Sequence, residues 1–265
     1  MDHKQIFKKL WEEYSSINPS ANTIHHLLGE KGESIVNDHV AFRTYDIPGI
    51  NIESMAPVFV NAGYEAKGEY FFEQKRLKAV HYEHKSDKLA PKVFISELIT
   101  SDFSTLVQDT AKEVADATLK AIAKGEELIF ALKPWDISYK KYIKLLGESE
   151  YAAWMYVWGF RANHFTIFIN YLEKIDSIES LNTFLKEKGY KLNTSGGEIK
   201  GTREQLLKQS STLADMVAVE FTEGSYNIPC CYYEFAERFE KSPGELYNGF
   251  IASSADKIFE STDAR

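Results

Sequence analysis

NDHVAFRTY, residues 37–45, and RANHFTIFI, residues 161–169, are two strand-like stretches that each carry a histidine near the start, His39 and His164. A second pair lies downstream of them. KVFISELIT, residues 92–100, and CYYEFAERF, residues 231–239, each hold a glutamate, Glu97 and Glu234. His39 and Glu97 are 58 residues apart, His164 and Glu234 are 70 apart, and the longer spacing matches a Gly-rich insertion around 195–201. Between the members of each pair the order is similar. Residues 52–62 read as a short helix ended by Gly63, followed by strands at 64–70, 77–84 and 93–99. Residues 175–187 read as a helix ended by Gly189, followed by strands at 190–192, 205–211, 216–221 and 230–235. This is a repeat of pattern rather than of residues, and it predicts an α+β fold. Two βαβββ-like modules would pair their sheets into a half-closed barrel with added helices.

Working outward, the modules occupy 36–100 and 160–240 of a single domain, 1–265. Ile6, Leu10, Trp11, Tyr14 and Ile17 have helical spacing, so 1–30 reads as a helical arm. Residues 101–150 read as connecting helices and 241–265 as a C-terminal tail. The chain has 265 residues, 44% hydrophobic and 26% charged, which excludes wholesale disorder and coiled coil. Its net charge of −8 argues against nucleic acid. No apolar run is long enough to span a membrane, and 1–10 is too polar for a signal peptide. Cys230 and Cys231 are adjacent, which suits neither a disulfide nor a zinc site and points to a cytoplasmic protein.

The first and last strands of each module would line one shared cavity. Two histidines and a carboxylate on one face of a metal leave open positions, the arrangement of non-haem Fe(II) oxygenases, although His also suits Mn, Co and Zn. His39 and Arg43 are four apart and share a strand face, so a metal ligand and a guanidinium would look into the same space. An arginine fork there can hold a carboxylate. The alternative is a half-buried histidine and an Arg43 paired with Asp38 or Asp46. His164 is either a ligand or a hydrogen-bonded core residue, and its equivalence to His39 supports the former. Glu97 and Glu234 both lie in apolar strands, where a carboxylate needs a partner or a metal. Spacing alone does not choose between them, and Glu97 stands as a candidate fourth ligand. The run Gln209–Thr212 offers hydroxyls and an amide that either orient a polar substrate or end a strand. Ser210 and Ser211 are its candidate substrate-binding residues. His81 and His84 would fall on opposite faces of a strand and read as non-ligands.

At HVAFRTY, the QSST run and YYEFAERF, the sequence resembles the 2-oxoadipate dioxygenase/decarboxylase family, whose fold is related to the vicinal-oxygen-chelate group. The resemblance covers about 39–239. It implies an Fe(II) site of His39, His164 and Glu234, and so selects Glu234 over Glu97. It makes Arg43 the catalytic and substrate-binding partner of a substrate carboxylate. It implies conversion of 2-oxoadipate and O2 to 2-hydroxyglutarate and CO2, a step of lysine catabolism, with no external reductant. Phe42, Phe165, Tyr232 and Tyr233 are the expected apolar walls. Many members are longer than this chain, and Arg161, Arg203 and Arg238 are the candidates for a far carboxylate. The expected partners are a small 2-oxo acid and O2, with a homodimer as the open option for assembly. Two rival readings remain. One is an oxygen-independent isomerase, lyase or hydrolase on the same metal, and the other is a non-catalytic small-acid-binding protein.

Overall fold

The computed structural model describes residues 1–125, 127–131 and 133–262. Two helices open the chain, α1 (His3–Ile17) and α2 (Pro19–Glu30). The expected single arm is broken at Asn18, whose side chain accepts from Ala21 N and caps α2, with Pro19 in the first turn where no N–H is required. The first module is β1 (Asn37–Tyr45), α3 (Ile52–Met55), α4 (Pro57–Asn61), β2 (Tyr64–Phe72), β3 (Leu77–His84) and β4 (Lys92–Leu98). Three helices follow: α5 (Thr105–Ile122), α6 (Tyr139–Glu148) and α7 (Glu150–Trp158). Helix α7 has no counterpart among the expected elements. It is buried on nearly every side, so no apolar stripe marks it.

The second module runs through β5 (Ala162–Phe168), α8 (Ile178–Glu187), β6 (Lys200–Thr202) and β7 (Leu207–Ser211). A hairpin of β8 (Met216–Phe221) and β9 (Gly224–Pro229) intervenes before β10 (Tyr232–Arg238). Residues 241–265, read as a tail, contain β12 (Glu245–Leu246) and α9 (Ala252–Phe259), and β11 (Glu240–Ser242) spans the expected boundary between module and tail. Two strand expectations shift. Of 190–192 only Leu192 pairs, in an isolated bridge to Thr212, and 216–221 pairs with β9 outside the main sheet. The true edge strand, β6, lies in the Gly-rich stretch. Gly201 has φ +78°, and a Cβ there would overlap the Leu207 carbonyl, so the turn back into β7 requires glycine.

Eight strands form one sheet in the order β2-β3-β4-β1-β5-β10-β7-β6. β1 runs parallel to β4 and β5 parallel to β10, while β1 and β5 meet antiparallel at the centre. Each half therefore repeats the other across the β1–β5 seam. The curled sheet has two different faces. On the outside, Trp11 and Tyr14 of α1 pack on Phe165 and Tyr233. On the concave side, α7 lies against β1, and α9 against β2, β6 and β7. Cys230 and Cys231 are buried free thiols. Among the described residues, no helix is long and apolar enough to cross a membrane.

Candidate metal centre

The seam between the modules is irregular at two places, and both irregularities serve a histidine. Asn37 and His39 stand opposite Ile167 and Thr166, so Asp38 is an extra residue on β1. Ala41 and Phe42 stand opposite His164 and Ala162, so Asn163 is an extra residue on β5. A bulge frees the extra residue from strict alternation and re-aims its side chain. Asp38 Oδ1 lies 2.8 Å from His39 Nδ1, and Asn163 Oδ1 lies 3.0 Å from His164 Nδ1. Each oxygen accepts from an Nδ1–H, which leaves the Nε2 lone pair of each ring pointing into the cup.

Glu234 on β10 meets these nitrogens. Its Oε1 is 3.6 Å from His39 Nε2, and its Oε2 is 3.1 Å from His164 Nε2. One donor atom from each of the three residues lies within 4.8 Å of the others, and no other trio of His, Cys, Asp or Glu does so among the described residues. All three residues are at most 3% exposed. Burial lowers the pKa of His39, against an opposing pull from Asp38. Burial lowers that of His164 further, with the neighbouring His39 and Arg43 adding to the effect. Burial raises Glu234 to about 8, although a hydrogen bond from Gln209 Nε2 at 2.6 Å opposes it. The protein alone thus favours neutral ligands. A cation among them would reverse the penalty on the carboxylate.

The donor set fits a metal. Glu234 Oε2 is buried and, despite its closeness to His164, has no donor aligned on it. Arg43 Nε, Tyr232 OH and Gln209 Oε1 are likewise buried without a hydrogen bond. Tyr232 stacks on the His164 ring at 4.7 Å. Buried polar atoms rarely go unpaired, so a group of them around three converging ligands marks a place built for something polar.

Other expected residues fall differently. Arg43 faces the cup and is buried, but it pairs with neither Asp38 nor Asp46. Its Nη1 donates to Glu150 Oε1 at 2.9 Å and its Nη2 to Thr262 Oγ1 at 3.2 Å. Glu97 faces away. Glu234 stands two residues after the partner of His164, whereas Glu97 stands five after the partner of His39, and odd spacing reverses the face. Glu97 accepts instead from Ile52 N at 3.1 Å, and it cannot be a fourth ligand. Ser210 also points outward, donating to Asn182 of α8, while Ser211 faces the cup and meets Ser261 at 2.7 Å. Of the expected walls only Tyr232 lines the cup. Phe42 packs on Phe59, and Phe165 and Tyr233 pack under Trp11. The walls are Phe250, set edge-on to His39 at 4.9 Å, with Phe94 behind it. Tyr151, Trp154 and Phe259 surround the Arg43 guanidinium.

The three arginines considered for a far carboxylate are committed elsewhere. Arg238 is buried against Asp38, Arg161 donates to the Trp158 carbonyl, and Arg203 lies over Phe239. Sequence reasoning missed Gln209 as a partner of Glu234, and it missed the covering residues 247–262. The signal for Asp38 and Asn163 was present, since a polar residue able to accept precedes each histidine.

A sequence model described as 2-oxoadipate dioxygenase/decarboxylase matches residues 4–244. The chain is 34% identical to the chloroplastic 2-oxoadipate dioxygenase/decarboxylase of Arabidopsis thaliana, over 98% of this chain and 77% of that one. A crystal structure from Shewanella frigidimarina NCIMB 400 superposes with a TM-score of 0.89 at 47% identity, covering 95% of this chain and 98% of that one. Hydroxyglutarate synthase from Oryza sativa, solved in complex with 2-oxoadipate, superposes with a TM-score of 0.88 at 34% identity, over 98% and 91%. The fold extends further: a glyoxalase-superfamily protein from Ralstonia eutropha JMP134 gives a TM-score of 0.74 at 18% identity, over 91% and 83%. The half-barrel fold is therefore shared with that more distant protein.

Proposed function

The chain belongs to the 2-oxoadipate dioxygenase/decarboxylase family, and from that premise we propose that it is an Fe(II) enzyme converting 2-oxoadipate and O2 to 2-hydroxyglutarate and CO2. The equation balances without a reductant: CO2 leaves with the two oxygens of the 2-oxo acid's own carboxylate, one atom of O2 completes the new carboxylate at the former keto carbon, and the other becomes the hydroxyl. The observation that carries the reading is the convergence of two Nε2 atoms and a carboxylate beneath a buried guanidinium. The 2-oxoadipate bound by the rice relative supports the substrate.

His39, His164 and Glu234 would hold the iron, which when bound supplies redox and Lewis-acid chemistry and a template for the 2-oxo acid. Asp38 and Asn163 keep the two imidazoles in the tautomer that presents Nε2. Gln209 fixes one oxygen of Glu234. Arg43 would bind a substrate carboxylate and orient it, exchanging Glu150 for it. Ser211 would add a hydroxyl at the same face. Phe250, Phe94 and Tyr232 exclude water from the reacting atoms. We assign the reaction to lysine breakdown and the protein to a reducing compartment, the cytoplasm, where two unpaired thiols are stable.

Protein reconstituted anaerobically with Fe(II) is mixed with 2-oxoadipate and O2 while oxygen uptake is followed, and the product is identified by mass spectrometry. Uptake of one O2 per 2-hydroxyglutarate formed is expected. Bound iron with no uptake on any 2-oxo acid would move the site to oxygen-independent metal chemistry.

A further inference from the structure

Gln209 on β7 donates from Nε2 to Glu234 Oε1 at 2.6 Å, and both residues are buried. A carboxylate can give a metal one oxygen or both. The two oxygens of Glu234 are not equivalent. Oε1 is held by Gln209, while Oε2 has no donor aligned on it and stands 3.1 Å from His164 Nε2. Two ligand atoms each about 2.1 Å from one ion, at right angles, are about 3 Å apart. Oε2 is therefore the oxygen placed for a metal, and Oε1 is the one withheld.

The other neighbours of Glu234 direct no hydrogen bond at it. Ser211 stands opposite it on β7 but turns to Ser261. Thr166, beside it on β5, meets His39 Nε2 at 3.1 Å. The Tyr232 hydroxyl makes no hydrogen bond. Lys200 on β6 acts on Glu234 by charge, but its hydrogen bond goes to the Asn193 carbonyl at 2.5 Å. Among the described residues, Gln209 is the side chain that orients this carboxylate. Its own Oε1 accepts nothing. A buried amide costs free energy when half of it goes unpaired, so its place is set by the one bond it makes to the ligand.

We propose that Gln209 is a positioning residue that keeps Glu234 a one-oxygen ligand and so holds one coordination position open for O2. The count follows from the donor set. Two imidazoles and one oxygen take three of six octahedral positions, and a chelating 2-oxo acid takes two more. One position is left, and a second oxygen from Glu234 would close it. This rests on the function proposed above and adds what keeps the site open to its second substrate.

Nitric oxide stands in for O2 in the test, and its binding to Fe(II) is read by electron paramagnetic resonance. The Fe(II) protein is titrated anaerobically with nitric oxide, with and without saturating 2-oxoadipate. Wild type is compared with Gln209→Met, which keeps the side-chain length and loses the donor, and thermal melts confirm folding. With 2-oxoadipate present, Gln209→Met should bind nitric oxide roughly ten- to hundredfold more weakly. Without it the two proteins should bind nitric oxide equally, because displaceable water then remains on the metal. Iron retention and 2-oxoadipate affinity, the latter by calorimetry, should be unchanged. In turnover the loss should fall on KM for O2 and spare KM for 2-oxoadipate. Equal nitric oxide affinities in the presence of 2-oxoadipate overturn the role of Gln209. An equal loss with and without 2-oxoadipate does the same, as does loss of iron from Gln209→Met. Wild type that takes up no nitric oxide once saturated with 2-oxoadipate overturns the open position itself, independently of any variant. A wild-type protein that binds no 2-oxoadipate overturns the proposed function and this inference together.

Discussion

Arg238 holds Asp38 through two hydrogen bonds, Nε to Oδ2 at 2.6 Å and Nη2 to Oδ1 at 2.8 Å, where neither side chain meets solvent. Burial alone would raise the Asp38 pKa, but the guanidinium holds it well below the usual carboxylate range. Through Asp38 the pair orients His39, and Arg238 Nη1 also binds the carbonyls of Tyr247 and Gly249 at 2.9 and 2.8 Å. Arg238→Met should cost about 3–5 kcal/mol in urea unfolding, because it strands a buried carboxylate. Asp38→Asn should weaken metal affinity by roughly ten- to hundredfold, read by chelator competition. Unchanged affinity in Asp38→Asn would sever His39 from this pair.

Replacing His39, His164 or Glu234 by Ala should abolish iron retention in elemental analysis. Glu234 adds a pH signature in metal-free protein. Its folded pKa of about 8 exceeds the usual 4.5, so the folded state keeps a proton that the unfolded chain gives up. Stability should therefore fall as pH rises from about 4.5 to about 8. Glu234→Gln should remove that slope and be the more stable form at neutral pH. A flat wild-type profile would contradict the buried, metal-free carboxylate.

Glu150 accepts from Arg43 and is the group that a substrate carboxylate must displace. Glu150→Gln weakens the competitor while keeping a hydrogen-bonding oxygen. The expected outcome is a several-fold lower KM for 2-oxoadipate together with a stability loss of about 1–3 kcal/mol. A raised KM at unchanged stability would instead place Glu150 on the substrate side.

Phe250 packs edge-on against His39, and its N–H donates to Tyr70 OH at 3.2 Å. Tyr70 in turn contacts His81, a histidine read as a non-ligand and found in a bond to Glu83. Phe250→Ala should lower stability by about 3–5 kcal/mol, as removal of a buried ring does. It should also speed metal loss to a chelator, because the wall over His39 is gone. Equal loss rates in variant and wild type would show that the metal leaves by another side.

Much of the architecture was legible because two strand–helix–strand patterns carry a histidine at matching places. The glutamate was not, because its face depends on parity relative to the partner strand. Glu97 and Glu234 look alike until register shows one an odd and the other an even step from the residue opposite its histidine. The same parity separates Ser211 from Ser210. Helix α7 escaped because a helix buried all round has no stripe, and β6 escaped because its glycine-rich surroundings look like a turn. The covering segment was read as a tail because α9 has only a few apolar residues, Ile258 and Phe259 among them. Its fit depends on a cup that local sequence does not describe.

The metal centre straddles the seam, with His39 in one module and His164 and Glu234 in the other. Its order of assembly follows from that. On the ribosome, β1 emerges first, and Asp38 waits 200 residues for Arg238 to be synthesised. Contacts that far apart form late, since loop closure comes before any reward. A nascent chain arrested before β10 carries both histidines but not Glu234 and so no complete metal site, and two separately expressed halves would recover metal binding only by docking along β1 and β5.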